Sequence, residues 1–325
     1  MIRQRIKLGL VCTVGGHFEQ MLNLSDVYSQ YDHFWITNEN TQTKNQLPDD
    51  SKYFIGAAHY KQPWTYVAQI PGVMRAFRRE KPTHLLSTGS GRTALIPFLL
   101  AKALRLPFLH VDTFSRVNGF SKFGSFLVGM HHKIYCQWES ANKNTVYIGP
   151  IFKTNSQPAK PAQPSHVFVT VGTRTEPFSR LLSAVDQLVV EGSITDKVIV
   201  QAGHTKFETP NLTVFDFCSP DEIDDLILKA RYVITQESAG IGTKCLKSNT
   251  RFIVMPRDYA HGELPSRSDM NEDLHLRLEE LGYTRVVHDA SQLREAIRKS
   301  ESIRTGFTFD NTLAIRTLKE ALEDS

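Results

Sequence analysis

The chain has 325 residues, which at roughly 100–200 residues per domain means two domains rather than one or three. Charged residues make up 22% and apolar ones 41%, ordinary globular usage that excludes disorder, collagen and coiled coil. Lys and Arg outnumber Asp and Glu by 38 to 34; the net charge of +4 suits an anionic ligand or membrane surface without calling for nucleic acid.

Residues 1–7 run into an apolar strand too short for a signal peptide. That strand, residues 8–14, ends in a glycine turn, and apolar residues at helical spacing follow over 18–28. Further strands are expected near 33–37, 84–87, 108–111 and 133–136. Residues 93–111 form the longest apolar stretch, but Lys102 and Arg105 with Pro97 and Pro107 break it, so no spanning helix is expected. Residues 153–165 carry Pro158, Pro161 and Pro164 and no large apolar side chain, and read as an extended linker. The second half repeats the pattern: a strand and turn over 167–173, a helix over 178–190, then strands near 197–201, 212–217, 232–235 and 251–255. A last helical stretch, 311–322, packs on either domain as far as its pattern says. The expected organisation is an α/β protein with domains 1–152 and 166–325 joined by a linker over 153–165. Continuous apolar strands alternating with helices imply two doubly wound parallel sheets, facing across a cleft at the carboxyl ends of their strands.

Four turns have the residues to carry chemistry. Gly15-Gly16-His17 lies where the first strand passes into a helix; the glycines leave room for a ligand, and the helix amino terminus carries about half a positive charge. A histidine there is suited to general-base work, and it reads equally well as an incidental turn residue. Thr88-Gly89-Ser90-Gly91 is a second such turn. Gly172-Thr173-Arg174 and Glu237-Ser238-Ala239-Gly240 offer backbone amides at strand ends, which fit either helix caps or a diphosphate. No Asp-x-Asp, Walker lysine loop or full G-x-G-x-x-G occurs, and no acidic residue sits where a dinucleotide fold needs one, so no metal, cofactor or dinucleotide is expected. His131 and His132 are adjacent and point apart, and so read as surface or partly buried residues. Cys12, Cys136, Cys218 and Cys245 form no C-x-x-C pair, which speaks against a zinc ribbon or secreted disulfide scaffold and for a reducing cytoplasm; Cys12 and Cys245 read as packing residues.

Taken in order, these motifs resemble a known family. Gly15-Gly16-His17-Phe18-Glu19-Gln20-Met21-Leu22, Ser87 to Gly91, Asp112-Thr113-Phe114-Ser115-Arg116-Val117, Gln137-Trp138 and Val146 to Pro150 resemble the acceptor-side subunit of the two-part N-acetylglucosaminyltransferase that acts on dolichol diphosphate. Val167 to Thr173, Gln201-Ala202-Gly203, Ser238 to Thr243, Met255-Pro256-Arg257, Gly262-Glu263 and Asn271 to Leu276 resemble its catalytic partner. The whole is similar to a fusion of the two, to bacterial exopolysaccharide glycosyltransferases and, more distantly, to the peptidoglycan transferase that makes lipid II.

The resemblance implies a GT-B fold and inverting, metal-independent transfer from a UDP-sugar to a polyprenyl-diphosphate-linked saccharide at the cytoplasmic face of the inner membrane. It implies His17 as base or acceptor contact, with Glu19 as runner-up base. Donor contacts would come from Gly172, Thr173, Arg174, Gln201, Glu237, Ser238, Ala239, Gly240, Gly242, Thr243, Glu263, Asn271, Glu272 and Asp273. Acceptor contacts would come from Gly15, Gly16, Thr88, Gly89, Ser90, Gly91, Asp112 and Arg116. The chain departs from the pattern at Glu237, where the family usually has histidine, and at Asn271-Glu272-Asp273, where it has Asn/Asp-His-Gln. Glucuronic acid is the leading donor sugar, because Arg174 can pair with a carboxylate; a UDP-sugar 2-epimerase and a catalytically idle nucleotide-sugar-binding subunit are the alternatives. Peripheral contact with an anionic membrane is expected through Val73, Met74, Arg75, Phe77, Arg78, Arg79 and Lys81, helped by aromatic residues over 120–130.

Overall fold

The computed structural model describes residues 5–153, 163–267, 270 and 272–325. The chain divides into two units, Met1–Lys153 with Phe309–Ser325, and Thr154–Thr308.

The strands of the first unit are β1 (Lys7–Val11), β2 (Asp32–Thr37), β3 (Lys52–Phe54), β4 (His84–Ser87), β5 (Phe108–His110), β6 (Ile134–Cys136) and β7 (Thr145–Tyr147). The first five form one sheet in the order β3-β2-β1-β4-β5, every pair parallel. β6 pairs with β7, and a bridge from Val111 to Tyr135 joins that pair to the end of β5. The helices are α1 (Gly16–Asn23), α2 (Ser25–Tyr28), α3 (Thr41–Gln46), α4 (Trp64–Val67), α5 (Ile70–Glu80), α6 (Gly91–Ala103) and α7 (Lys122–Gly129). Leu8 and Leu10 of β1 pack on one face of the sheet with Phe18, Met21 and Trp35, and Val11 packs on the other with Phe34, Leu85 and Phe98. That two-sided burial explains why the strand reads as a continuous apolar run.

The second unit repeats the design. Its strands are β8 (His166–Thr170), β9 (Val198–Gln201), β10 (Thr213–Phe215), β11 (Ala230–Thr235), β12 (Arg251–Val254) and β13 (Arg285–Val286), all parallel, in the order β10-β9-β8-β11-β12-β13. Its helices are α8 (Ser179–Val190), α9 (Pro220–Lys229), α10 (Ala239–Lys247), α11 (Asp273–Glu280) and α12 (Ala290–Arg298). α9 begins on a reciprocal cap: Ser219 accepts from the Glu222 amide while the Glu222 side chain accepts from the Ser219 amide, and Pro220 opens the helix. In both units a central strand is flanked by crossovers in opposite directions, which is the doubly wound arrangement.

Three expectations change. The helix expected over 18–28 is two, α1 and α2, broken at Leu24. The second unit stops at Thr308, not at residue 325: the last helix, α13 (Thr312–Glu323), belongs to the first unit, where Ala314, Leu318 and Leu322 join the core of β1 and α1. These three residues lie four apart, one stripe of a helix, and that stripe needs an apolar face to cover. The stretch 73–81 does not offer its apolar side to a membrane, since Val73 and Phe77 of α5 are buried in the core and only Arg75, Arg78, Arg79 and Lys81 are exposed. Among the described residues no helix is long and apolar enough to cross a membrane.

Candidate functional site

In the first unit the turns after β1 and β4 are bonded into one body. The Thr13 hydroxyl lies 3.0 Å from Ser90 Oγ, accepts from the Ser90 amide at 2.9 Å and reaches Thr93 Oγ1 at 3.1 Å. The Thr88 hydroxyl donates to the His17 carbonyl at 2.8 Å, and the Thr88 amide to Val11 O at 3.1 Å. A Cβ on Gly89 would sit 3.4 Å from Cys12 Cα and Val11 O, so the second turn rests on the backbone of the first. Thr88, Gly89 and Ser90 therefore spend their amides inside the protein, Gly89 donating to Ser87 Oγ at 3.2 Å. The open amides expected of helix starts are those of Gly16 and His17 in α1 and of Gly91 and Arg92 in α6. Gly15 enters α1 at φ +80°, a conformation that other residues adopt only under strain.

His17 sits over a buried ionisable group. Its Nδ1 is enclosed and has no hydrogen-bond partner. Burial pulls its pKa below the ordinary 6.5; the Thr88 backbone opposes that shift, His110 adds to it and Asp112 opposes it. The imidazole is thus neutral at neutral pH, the form a base requires. His110 is 1% exposed; its Nδ1 meets Ser87 Oγ at 3.3 Å, and its Nε2 stands 3.9 Å from Asp112 Oδ1, too far for a hydrogen bond. Burial pushes the Asp112 carboxyl up, but His110 and Ser121 more than offset it and hold the pKa below 3.8. Asp112 accepts from the amides of Thr113 at 3.0 Å and Ser121 at 2.9 Å, and a Cβ on Gly124 would lie 2.6 Å from its Oδ2, so only glycine lets α7 approach it. Glu19 is elsewhere: it is exposed and accepts from Gln42 Nε2.

In the second unit the ends of β8, β9 and β11 converge. Gly172 has φ +73°, and a Cβ there would meet Gln236 Nε2 at 2.0 Å; one on Gly203 would meet Gly172 O at 2.3 Å. The Gly172 amide is already bonded to Thr170 Oγ1 at 3.2 Å, which leaves those of Thr173 and Arg174 for a ligand. Arg174 is half-buried and makes no ion pair among the described residues. Across from it, Ser238 caps α10 by accepting from Ile241 N at 3.3 Å, and Ala239 and Gly240 occupy the first turn. The helix expected directly after Gly172 begins only at Ser179, so Thr173 and Arg174 belong to a loop. That loop's amides, the α10 entry and a cation without an ion pair among the described residues are together suited to a diphosphate.

Arg257, 1% exposed, ties this region together. Its guanidinium donates to Gln236 Oε1, to Val171 O at 2.9 Å, to Glu176 O at 2.7 Å and to Glu263 O at 3.2 Å, and lies 4.8 Å over the Phe178 ring. Its amide donates to Glu237 Oε2 at 2.8 Å. The expected donor residues therefore separate. Thr173, Arg174, Ala239 and Gly240 keep free groups. Gln201 accepts through Oε1 from Thr170 Oγ1 at 2.6 Å, and Glu263 is bidentate to Arg180 at 3.0 and 2.8 Å and accepts from the Asp258 amide, so these oxygens already hold the loops together. Gly242 and Thr243 turn inward, the first against His275. Glu272 and Asp273 begin α11, with Glu272 Oε2 3.6 Å from His288 Nδ1; Asn271 lies outside the described residues. His275 is buried with both ring nitrogens unpartnered, and burial lowers its pKa to about 4.

Sequence reasoning assigned no role to Thr13, Gln20, His110, Arg180, Gln236 or Arg257, although Gln20 and Arg257 lie in the motifs that carry the resemblance. A histidine and an aspartate two apart at the end of an apolar strand, Leu109-His110-Val111-Asp112, was the available signal for His110. Gln20 needed the fold, since its partners are Phe114, at 3.3 Å, and Gln137, at 2.8 Å.

No protein-family model matches the chain, and no curated protein matches it. Solved structures do. MurG of Acinetobacter baumannii is 14% identical, covering 99% of this chain and 96% of its own, with a TM-score of 0.61. CalG4, the calicheamicin glycosyltransferase, is 12% identical over 99% and 95%, with a TM-score of 0.59. The UDP-GlcNAc 2-epimerase of Methanocaldococcus jannaschii, in complex with UDP-GlcNAc and UDP, is 12% identical over 98% of each chain, with a TM-score of 0.65. Two parallel doubly wound sheets with these likenesses over almost the whole chain establish that the protein has the GT-B fold.

Proposed function

We propose that this protein is an inverting glycosyltransferase that moves a sugar from UDP to a saccharide carried on a polyprenyl diphosphate. The observation that supports it best is the second unit's open amides at Thr173, Ala239 and Gly240 beside the unpaired Arg174. Charge grows on the departing diphosphate during transfer, and oriented amides with one cation stabilise it where it develops. The sequence holds no Asp-x-Asp, and we assign this role to the protein's own groups rather than a metal. Arg174 also suits an acidic sugar, with glucuronic acid the first choice. In the first unit His17 takes the acceptor hydroxyl's proton as that oxygen attacks the anomeric carbon; the bond to UDP breaks as the new glycosidic bond forms. Calorimetry with UDP, followed by a panel of UDP-sugars with a short-chain prenyl-diphosphate sugar and mass analysis of products, tests this. The expected result is UDP binding and one glycosylated lipid. Absence of UDP binding overturns it, and isomerisation of a UDP-sugar without acceptor assigns an epimerase instead.

We place membrane contact on the first unit, away from α5. Tyr60, Trp64 and Val67 are 50%, 64% and 63% exposed, and Phe126 and Met130 are also open. Arg92 and Lys122 stand 5.4 and 5.6 Å over the Tyr60 ring. Aromatic side chains beside cations suit an anionic bilayer surface. Flotation with anionic liposomes is expected for the native chain and lost in a Trp64→Ser, Val67→Ser variant; a native chain that stays in the soluble fraction rejects the contact.

A further inference from the structure

A cavity of about 210 Å³ opens in the first unit between two loops, one following β5 and one following β6; Asp112, Arg116, Asn118, Gln137, Trp138 and Glu139 line it. Three of these hold the frame. Asp112 is bonded to the amides of Thr113 and Ser121, and Gln137 Nε2 donates to Gln20 Oε1 at 2.8 Å and Asp112 O at 2.9 Å while its Oε1 accepts from Ile151 N at 3.1 Å. Trp138 donates to Phe114 O at 2.7 Å and stacks on the Phe114 ring at 5.0 Å, which fixes the indole and covers one face.

The other three are free. Arg116 is half-buried, and neither it nor Asn118 nor Glu139 has a side-chain partner among the described residues, although Arg116 and Glu139 line the same small space. Arg116 forms no ion pair with either carboxylate of the same hollow, Asp112 or Glu139, so its guanidinium donors remain available to an anionic group of a ligand. A locked indole, an amide, a carboxylate and a guanidinium around one hollow match a sugar ring: apolar C–H groups lie on the aromatic face, and hydroxyls find donors and acceptors. The volume is below the roughly 300 Å³ at which pockets for larger ligands begin, so it takes one ring.

We infer that this cavity holds a single anionic glycosyl unit of the acceptor, with Trp138 as platform and Arg116 pairing with a carboxylate or phosphate on or beside the ring. This rests on the glycosyltransferase reading and adds where, and with which residues, the acceptor sugar is gripped.

Of the three tryptophans Trp35 is buried in the core and Trp64 is exposed, so in the full-length Trp64→Phe chain emission changes on binding report Trp138. Titration is made with methyl glucuronide, glucose 1-phosphate, methyl glucoside and inorganic phosphate. The expected result is a saturable shift with at least one anionic sugar at about tenfold lower concentration than with methyl glucoside, one charge-assisted contact being worth about that factor. Arg116→Met removes this difference. Preference for the glucuronide identifies a ring carboxylate, and preference for the 1-phosphate identifies the diphosphate side. No saturable shift with any sugar, an equal response to inorganic phosphate alone, or an unchanged preference in Arg116→Met overturns the inference. A chain that binds UDP yet gives none of these shifts keeps the proposed function and loses this subsite; sugar shifts in a chain that never binds UDP do the reverse.

Discussion

His17→Ala is expected to lower kcat/KM for glycosyl transfer by about 10²–10⁴-fold, the usual contribution of a positioned general base. His17 stands at the entry to α1, held through its carbonyl by Thr88, and is the imidazole that interacts with buried His110 and Asp112. Glu19→Gln should stay within about threefold of wild type, because that carboxylate is exposed and bonded to Gln42. The pH profile carries the same assignment. A base works only when unprotonated, and burial lowers this pKa below 6.5, so the rate should be level through neutral pH and fall on the acid side below pH 6.5. His17→Ala should lose that acid limb together with the rate. Retained turnover in His17→Ala, or an acid limb that survives it, removes His17 from the chemistry.

The second large effect concerns stability. Arg257→Met is expected to cost the second unit roughly 3–5 kcal/mol, since it strands Gln236 Oε1 and the carbonyls of Val171 and Glu263, all in buried bonds, together with the half-buried Glu176 carbonyl. In a unit of this size that is a fall in Tm on the order of 10 °C. Arg257→Lys should recover only part, because an ammonium has a point charge and no fork to span three loops. UDP affinity should fall in both variants, since Val171 and Gln236 adjoin the Thr173 and Ser238 turns. Scanning calorimetry with UDP titration checks this, and a Tm within about 2 °C of wild type for Arg257→Met contradicts it.

The stretches that reasoning placed well were those where one physical cause dominates. Buried parallel strands read as apolar runs between turn residues, and β2, β4, β9 and β12 lie where that signal puts them. The strands β3, β7 and β13 have two or three residues, none of them buried, and were not legible, whereas the equally short β5 and β6 are fully buried and show as apolar runs. The α5 stretch misled for a related reason: alternating Arg and apolar residues describe an amphipathic helix, but not whether bilayer or protein covers the apolar side. Val73 and Phe77 cover the first unit's own core, while Trp64 and Val67 of α4 and Phe126 of α7 are among the apolar residues left exposed.

Local sequence by itself determined the two-fold repetition of strand, glycine turn and helix, and the glycines at 15, 172 and 203 that such turns demand, because backbone sterics and hydrophobic period act over a few neighbouring residues. Only the tertiary structure decided which expected polar groups remain available. It spent the side-chain oxygens of Gln201 and Glu263 in bonds to Thr170 and Arg180, left Arg174 and Arg116 without an ion pair among the described residues, and brought Gln20 to Gln137 across more than a hundred residues. A side chain's hydrogen-bonding capacity is written in its residue type, whereas whether that capacity is spent depends on what the folded chain carries to within 3 Å of it.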